Sequence, residues 1–166
     1  FWVKIAPDTP DTLSYSMLSW GTTNHLPGGK WQLSWNTGND NPGTRGAIRT
    51  EVEGGYQIGS TNLLTGTWHH VVSVYAGGQN GDIADSIRHY VDGRLESATA
   101  LKHHLVDTQT EGPQTLPVAI GRSLDSAAFV RSFCGSLDEI YLFPCALTPQ
   151  QVERLFRENR PPQVRE

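Results

Sequence analysis

Two stretches of the chain decide its fold: Gly66-Thr67-Trp68-His69-His70-Val71-Val72-Ser73-Val74-Tyr75, and Ser86-Ile87-Arg88-His89-Tyr90-Val91-Asp92-Gly93-Arg94-Leu95-Glu96-Ser97-Ala98. The first is rich in valine and aromatic residues, which pack well on a pleated surface. The second sets Asp-Gly between two runs able to form strands. A type I′ turn needs positive φ at both central residues, and Asp-Gly meets that need at little cost. Between the stretches, Ala76 to Asp82 is too polar and glycine-rich to continue pairing. Antiparallel strands joined by a loop and a tight hairpin follow.

The period-2 signal continues on both sides. Tyr15–Trp20, Trp31–Trp35 and Ala47–Val52 read as short strands, the middle one alternating cleanly. Gly and Asn clusters at Pro27-Gly28-Gly29, Thr37–Gly43 and Gly54-Gly55 punctuate them. Pro117–Gly121 and Phe133–Phe143 add two more strands, while residues 101–116 lose the pattern and read as a loop. One helix is signalled. Thr148 offers an N-cap hydroxyl, Pro149 the first helical position and Gln151 the reciprocal cap. Val152, Leu155 and Phe156 then form an apolar stripe, and Arg160-Pro161-Pro162 stops the helix. About ten strands and one short C-terminal helix predict an all-β, two-sheet antiparallel sandwich.

Composition agrees and narrows the partners. The 166 residues suit one domain that can bury a core without disulfide staples. Thirteen basic against 17 acidic residues leave a formal charge of -4. No basic surplus exists to meet a phosphate backbone, so nucleic acid is excluded as a partner. No apolar run is long enough to insert in a membrane. Phe1-Trp2-Val3-Lys4-Ile5 reads as the inside of a strand, with no basic patch or signal core before it. The chain is therefore expected to be part of a longer protein. Cys134 and Cys145 are expected to be free, inert thiols. On one continuous strand they would stand roughly 30 Å apart at ~3.3 Å per residue, beyond disulfide reach.

Three segments carry a family resemblance: Gly66–Tyr75, Tyr90-Val91-Asp92-Gly93, and Val118-Ala119-Ile120-Gly121 followed by Phe133–Thr148. Their order and spacing resemble laminin-G-like, concanavalin A-like lectin/glucanase domains of bacterial surface and secreted proteins. The resemblance implies a jelly-roll sandwich over residues 1–158, lacking its first strand, with 159–166 as linker or tail. It also implies adhesion or glycan recognition, often with bound calcium. Asn24 and Asp125 occupy positions similar to pentraxin calcium loops, although Ser123, Leu124 and Ala127-Ala128-Phe129 bring none of the further acids of that pattern. The resemblance leaves room for a single structural calcium rather than a two-calcium site.

Residue chemistry weighs against catalysis. Glycoside hydrolases of this architecture set two carboxylates across one groove. Only Glu51-Val52-Glu53 has the spacing to present two acids on one strand face, and it runs straight into Gly54-Gly55. No Gly-x-Ser-x-Gly elbow and no zinc spacing is present; His69-His70 point apart on a strand, and His103-His104 read as a solvated loop pair. Asp82 and Asp85 read as solvated too. Glycan binding needs an exposed ring with polar neighbours. Trp31 and Trp35 share a face with Leu33 and read as core, as do Trp2 and Trp68. Trp20, beside Gly21-Thr22-Thr23-Asn24, and Tyr56, beside Gly54-Gly55, are the candidate platforms.

The sequence thus predicts a non-catalytic binding or adhesion module of a larger exported protein. Its partners are a glycan or glycoprotein and neighbouring domains of the parent chain. Its place is extracellular, at the cell surface or periplasmic. The alternatives are a structural spacer or protein-interaction domain without a small ligand and, behind it, a divergent glycoside hydrolase.

Overall fold

The computed structural model describes residues 1–11, 16–20, 30–38, 41–52, 54–79, 81–108, 117–122 and 132–159. The elements are β1 (Trp2–Lys4), β2 (Ser16–Trp20), β3 (Trp31–Trp35), β4 (Ile48–Val52), β5 (Gly55–Ile58), β6 (Trp68–Tyr75), α1 (Ile83–Ser86), β7 (Ile87–Val91), β8 (Arg94–Leu95), β9 (Ala100–Lys102), β10 (Val118–Ile120), β11 (Ser136–Asp138) and α2 (Pro149–Glu158). They build two antiparallel sheets, β11-β1-β6-β7-β8 and β10-β2-β3-β4-β5-β9. This is the two-sheet sandwich with a short C-terminal helix. Asp92 and Gly93, at φ 50° and 77°, join β7 to β8 by the tight turn their identities demand.

Alternation assigns the faces. Val71 of β6, Leu33 and Trp35 of β3, and Ile48 of β4 meet in the central core with Val3, Ile5 and Met17. In the same layer Tyr75 packs with Val52, Ile83 and Ile87. The opposite face of β6 and β7 carries Val74 and Tyr90, which α2 covers with Val152 and Leu155. That helix starts on the predicted capping box, Thr148 with Gln151, and ends on Asn159 in the left-handed region. His69 and His70 do part to opposite faces. The His70 ring is buried between Trp2 and Phe156, at 5.1 and 5.8 Å. The His69 ring bonds Asp92 at 2.9 Å and Thr65 at 2.8 Å.

Five details differ from the sequence reading. The polar stretch after β6 ends in a short helix, α1, because the Asp82 side chain accepts from the Ala84 N–H. Gly55 opens β5, and residues 100–102 are a strand, β9, that pairs with it. The run Phe133–Phe143 is a strand only over Ser136–Asp138; Glu139, at φ 47°, turns the chain out of the ladder. Trp68 is exposed, with the Lys4 ammonium 5.5 Å from its ring centroid, rather than core. The two cysteines are free, as expected, and both are exposed.

Candidate functional site

Directly opposed residues of an antiparallel pair face the same side. The register therefore draws a continuous row across the outer face of the six-stranded sheet: Ala119, Ser19, Gln32, Glu51, Tyr56 and Lys102. A second row runs Ser16, Ser34, Arg49, Ile58 and Ala100. The inner face of the same strands is mostly apolar, so polarity is concentrated on one side. Ser16 Oγ, Gln32 Nε2 and Ser34 Oγ are buried without a hydrogen-bond partner among the described residues. Such groups call for a partner, protein or water.

A hydrogen-bonded network on this face is built around Arg49. Its Nε donates to Glu51 Oε2 at 3.1 Å, and its Nη1 to Asn41 Oδ1 at 3.0 Å and Asn36 Oδ1 at 3.3 Å. Asn36 is fixed in turn by donating to the Pro42 and Thr44 carbonyls. The guanidinium lies 4.7 Å from the centroid of the half-buried Tyr56 ring, a cation–π stack. Side chains held this firmly lose little freedom when a ligand arrives.

A family model for laminin G domains, described as concanavalin A-like lectin/glucanases superfamily, matches residues 1–153. The chain belongs to this superfamily. No curated protein was found to match it.

Membership in the concanavalin A-like superfamily brings both hydrolases and lectins into question, so the carboxylates matter. Glu51 is the only acidic residue in the described strands of the six-stranded sheet, and its carboxylate is committed to Arg49. Glu53, the second acid of the expected pair, lies outside the described residues. Asp92, His69 and Thr65 stand in the order of a catalytic triad. Yet Thr65 Oγ1 also bonds Thr67 Oγ1 and accepts from the Thr67 N–H, and Asp92 Oδ1 accepts from the His70 N–H. These bonds tie the β7–β8 turn to the start of β6.

The two ring candidates fall on opposite sides of one sheet in this concanavalin A-like domain. Tyr56 faces outward beside Arg49. Trp20 packs edge-on against Trp31, 6.4 Å away at 88°, and lines a cavity of about 600 Å³ with Lys30 and Leu33. The Lys30 ammonium, nearly buried, is paired with Asp107. Asn24 and Asp125 lie outside the described residues. Asp82, Asp85 and His103 bring one ligand atom each within 4.8 Å of one another. Two carboxylates and an imidazole fall short of the six or more oxygens calcium takes. Asp82 Oδ1 already caps α1 and faces His103 Nδ1 at 3.0 Å, while His103 and His104 are both exposed, as expected.

The sequence reading missed Arg49. Its signal was present: an Arg and a Glu at i and i+2 in a strand whose alternate residues Ile48, Thr50 and Val52 face inward.

Proposed function

We propose that the domain is a non-catalytic binding module that recognises a glycan or glycoprotein through the outer face of its six-stranded sheet. The observation that carries the reading is the preordered Arg49–Tyr56 stack, with Glu51, Asn36 and Asn41 around it. A sugar presents C–H faces that stack on a ring and hydroxyls that need donors and acceptors, and this patch offers both. What supports the non-catalytic reading is that the Glu51 carboxylate is committed to the Arg49 guanidinium rather than free to act as an acid or nucleophile. The module acts outside the cell, at the cell surface or in the periplasm, as part of a larger exported protein. Superfamily membership favours this setting. A structural calcium at the loops of Asn24 and Asp125 belongs to the same proposal.

The test is a glycan array with purified domain. Tyr56→Ala should lose at least tenfold in apparent affinity, with Tyr56→Phe binding as the parent does. An empty array for the parent, or full binding by Tyr56→Ala, overturns the glycan reading and leaves the protein-interaction one. For calcium, the expected result is a higher Tm in excess calcium than in chelator; equal values refute the ion.

A further inference from the structure

Three metal-ligating side chains converge outside the Arg49 patch. Asp82 caps α1 and Asp85 stands three residues on, a spacing that brings side chains to one side of a helical turn. His103 follows β9 and comes to them across an antiparallel bridge between Asp82 and Leu105. His103 Nδ1 lies 3.0 Å from Asp82 Oδ1 and 3.9 Å from Asp85 Oδ2. The three ligand atoms all fall within 4.8 Å of one another.

The backbone fixes this meeting. The Ile83 N–H donates to the His104 carbonyl and the Val106 N–H to the Gly81 carbonyl, both at 2.9 Å, one on each side of Asp82. Gln57 Nε2 donates to the Ala84 and Ile87 carbonyls at 2.9 and 3.1 Å, and Ile83 and Ala84 are buried, so α1 is anchored although it spans four residues. Ligands set on a fixed frame lose little freedom in capturing an ion. The charge is uncompensated as well. Among the described residues neither carboxylate pairs with a lysine or arginine; Arg88 Nη1 donates instead to the Asp85 and Ile87 carbonyls of the backbone. His104 takes no part. Its Nδ1 donates to the Leu105 carbonyl at 2.9 Å, and its ring lies against Gly54, where an added carbon would stand 3.2 Å from Cδ2.

We propose that Asp82, Asp85 and His103 form a site for zinc or a zinc-like transition-metal ion, with one coordination position left open. The donor set chooses the ion. Calcium and magnesium take oxygen ligands, whereas an imidazole nitrogen beside carboxylates suits zinc and its neighbours. Tetrahedral zinc, with bonds of about 2.0–2.2 Å, sets its ligands roughly 3.3–3.6 Å apart. The separations of 3.0 and 3.9 Å from His103 Nδ1 bracket that spacing, so small side-chain rotations complete the site. The Asp85 and His103 side chains are 75% and 62% exposed, and an ion reaches them directly from solvent. Three protein ligands leave the fourth position to water or to a group brought by a partner. This inference is independent of the glycan reading, because none of the three residues belongs to the Arg49–Tyr56 network.

Calorimetric titration of the purified domain with zinc chloride tests it, alongside Tm with and without zinc. The parent should bind one zinc per chain and melt higher in its presence. Asp85→Asn and His103→Ala should each weaken zinc binding at least tenfold and abolish the rise in Tm, while His104→Ala binds as the parent does. All three substituted side chains are exposed, so the fold is kept; Asp82 is left in place because it caps α1. Excess calcium or magnesium should not displace the zinc. An absence of zinc binding overturns the proposal, as does parent-like binding by both Asp85→Asn and His103→Ala. Equal weakening by His104→Ala would make the ion an adventitious guest of the histidine pair, and displacement by calcium would make the site an oxygen-ligand one; either result also refutes it.

Discussion

His89 Nε2 lies 2.7 Å from Thr50 Oγ1, and this bond joins the two sheets through the middle of the sandwich. Thr50 Oγ1 also bonds Ser73 Oγ at 3.1 Å, so β4, β6 and β7 meet at one hydroxyl. Thr50→Val keeps the shape but leaves a fully buried imidazole nitrogen unmatched. A loss of about 1–3 kcal/mol in unfolding free energy is expected. Urea titration at pH 7.5 measures it, and a change under 0.5 kcal/mol, about the scatter of a harmless substitution, would show that the bond contributes nothing net.

The same burial makes the fold sensitive to acid. His89 is pushed down to about 3 by burial, and His70 to about 4 by burial first and the nearby N-terminal ammonium second, with Asp92 opposing. The unfolded chain takes up these protons at the ordinary value near 6.5. Between that value and the folded ones the unfolded state holds more protons, so stability falls as pH drops below about 6.5. The fall continues to about 4 for His70 and about 3 for His89. Each ring adds a slope of up to about 1.4 kcal/mol per pH unit. Urea midpoints from pH 7.5 to 4.5 check this. His89→Gln should show a shallower decline; an equal slope in parent and variant removes His89 from the account.

Glu96 fastens a loop that no motif announced. Its Oε2 accepts from the Ser60 N–H at 2.7 Å, the Ser60 hydroxyl at 3.0 Å and the Thr61 N–H at 2.6 Å, while Oε1 accepts from the Thr61 hydroxyl at 2.8 Å. Glu96→Ala strips four charge-assisted bonds and should cost about 1–3 kcal/mol. Faster amide exchange at Ser60 and Thr61 is the local signature to look for. Unchanged exchange there would mean the loop holds itself.

Among the described glycines, Gly46 combines a positive φ with the tightest contact for an added Cβ. It sits at φ 81°, and a Cβ there would fall 2.0 Å from Asn62 Oδ1, which itself accepts from the Leu64 N–H at 2.9 Å. Gly46→Ala combines backbone strain with a displaced hydrogen bond, and a loss of about 2 kcal/mol or more is expected. Gly78→Ala is the control, with φ 61° and nothing within 4 Å of the added carbon. If both substitutions lower Tm equally, the contact with Asn62 is irrelevant and φ alone explains the cost.

Much was legible in the chain because its signals are local. Asp92-Gly93 demanded a tight turn, Thr148-Pro149-Gln150-Gln151 wrote a capping box, and the alternation of Trp31, Leu33 and Trp35 gave a strand with one buried face. Each depends on φ preference or side-chain period within a few residues, and with them came the sandwich and the family. The tertiary structure decided the rest, because pairing and facing depend on residues far apart. Trp20 and Tyr56 look alike as rings beside glycine, yet register turns one inward onto Trp31 and the other outward under Arg49. The Phe133–Phe143 run is as apolar as a long strand. It stays paired only where β1 lies beside it, since a ladder needs a neighbour that no pattern within the run can supply.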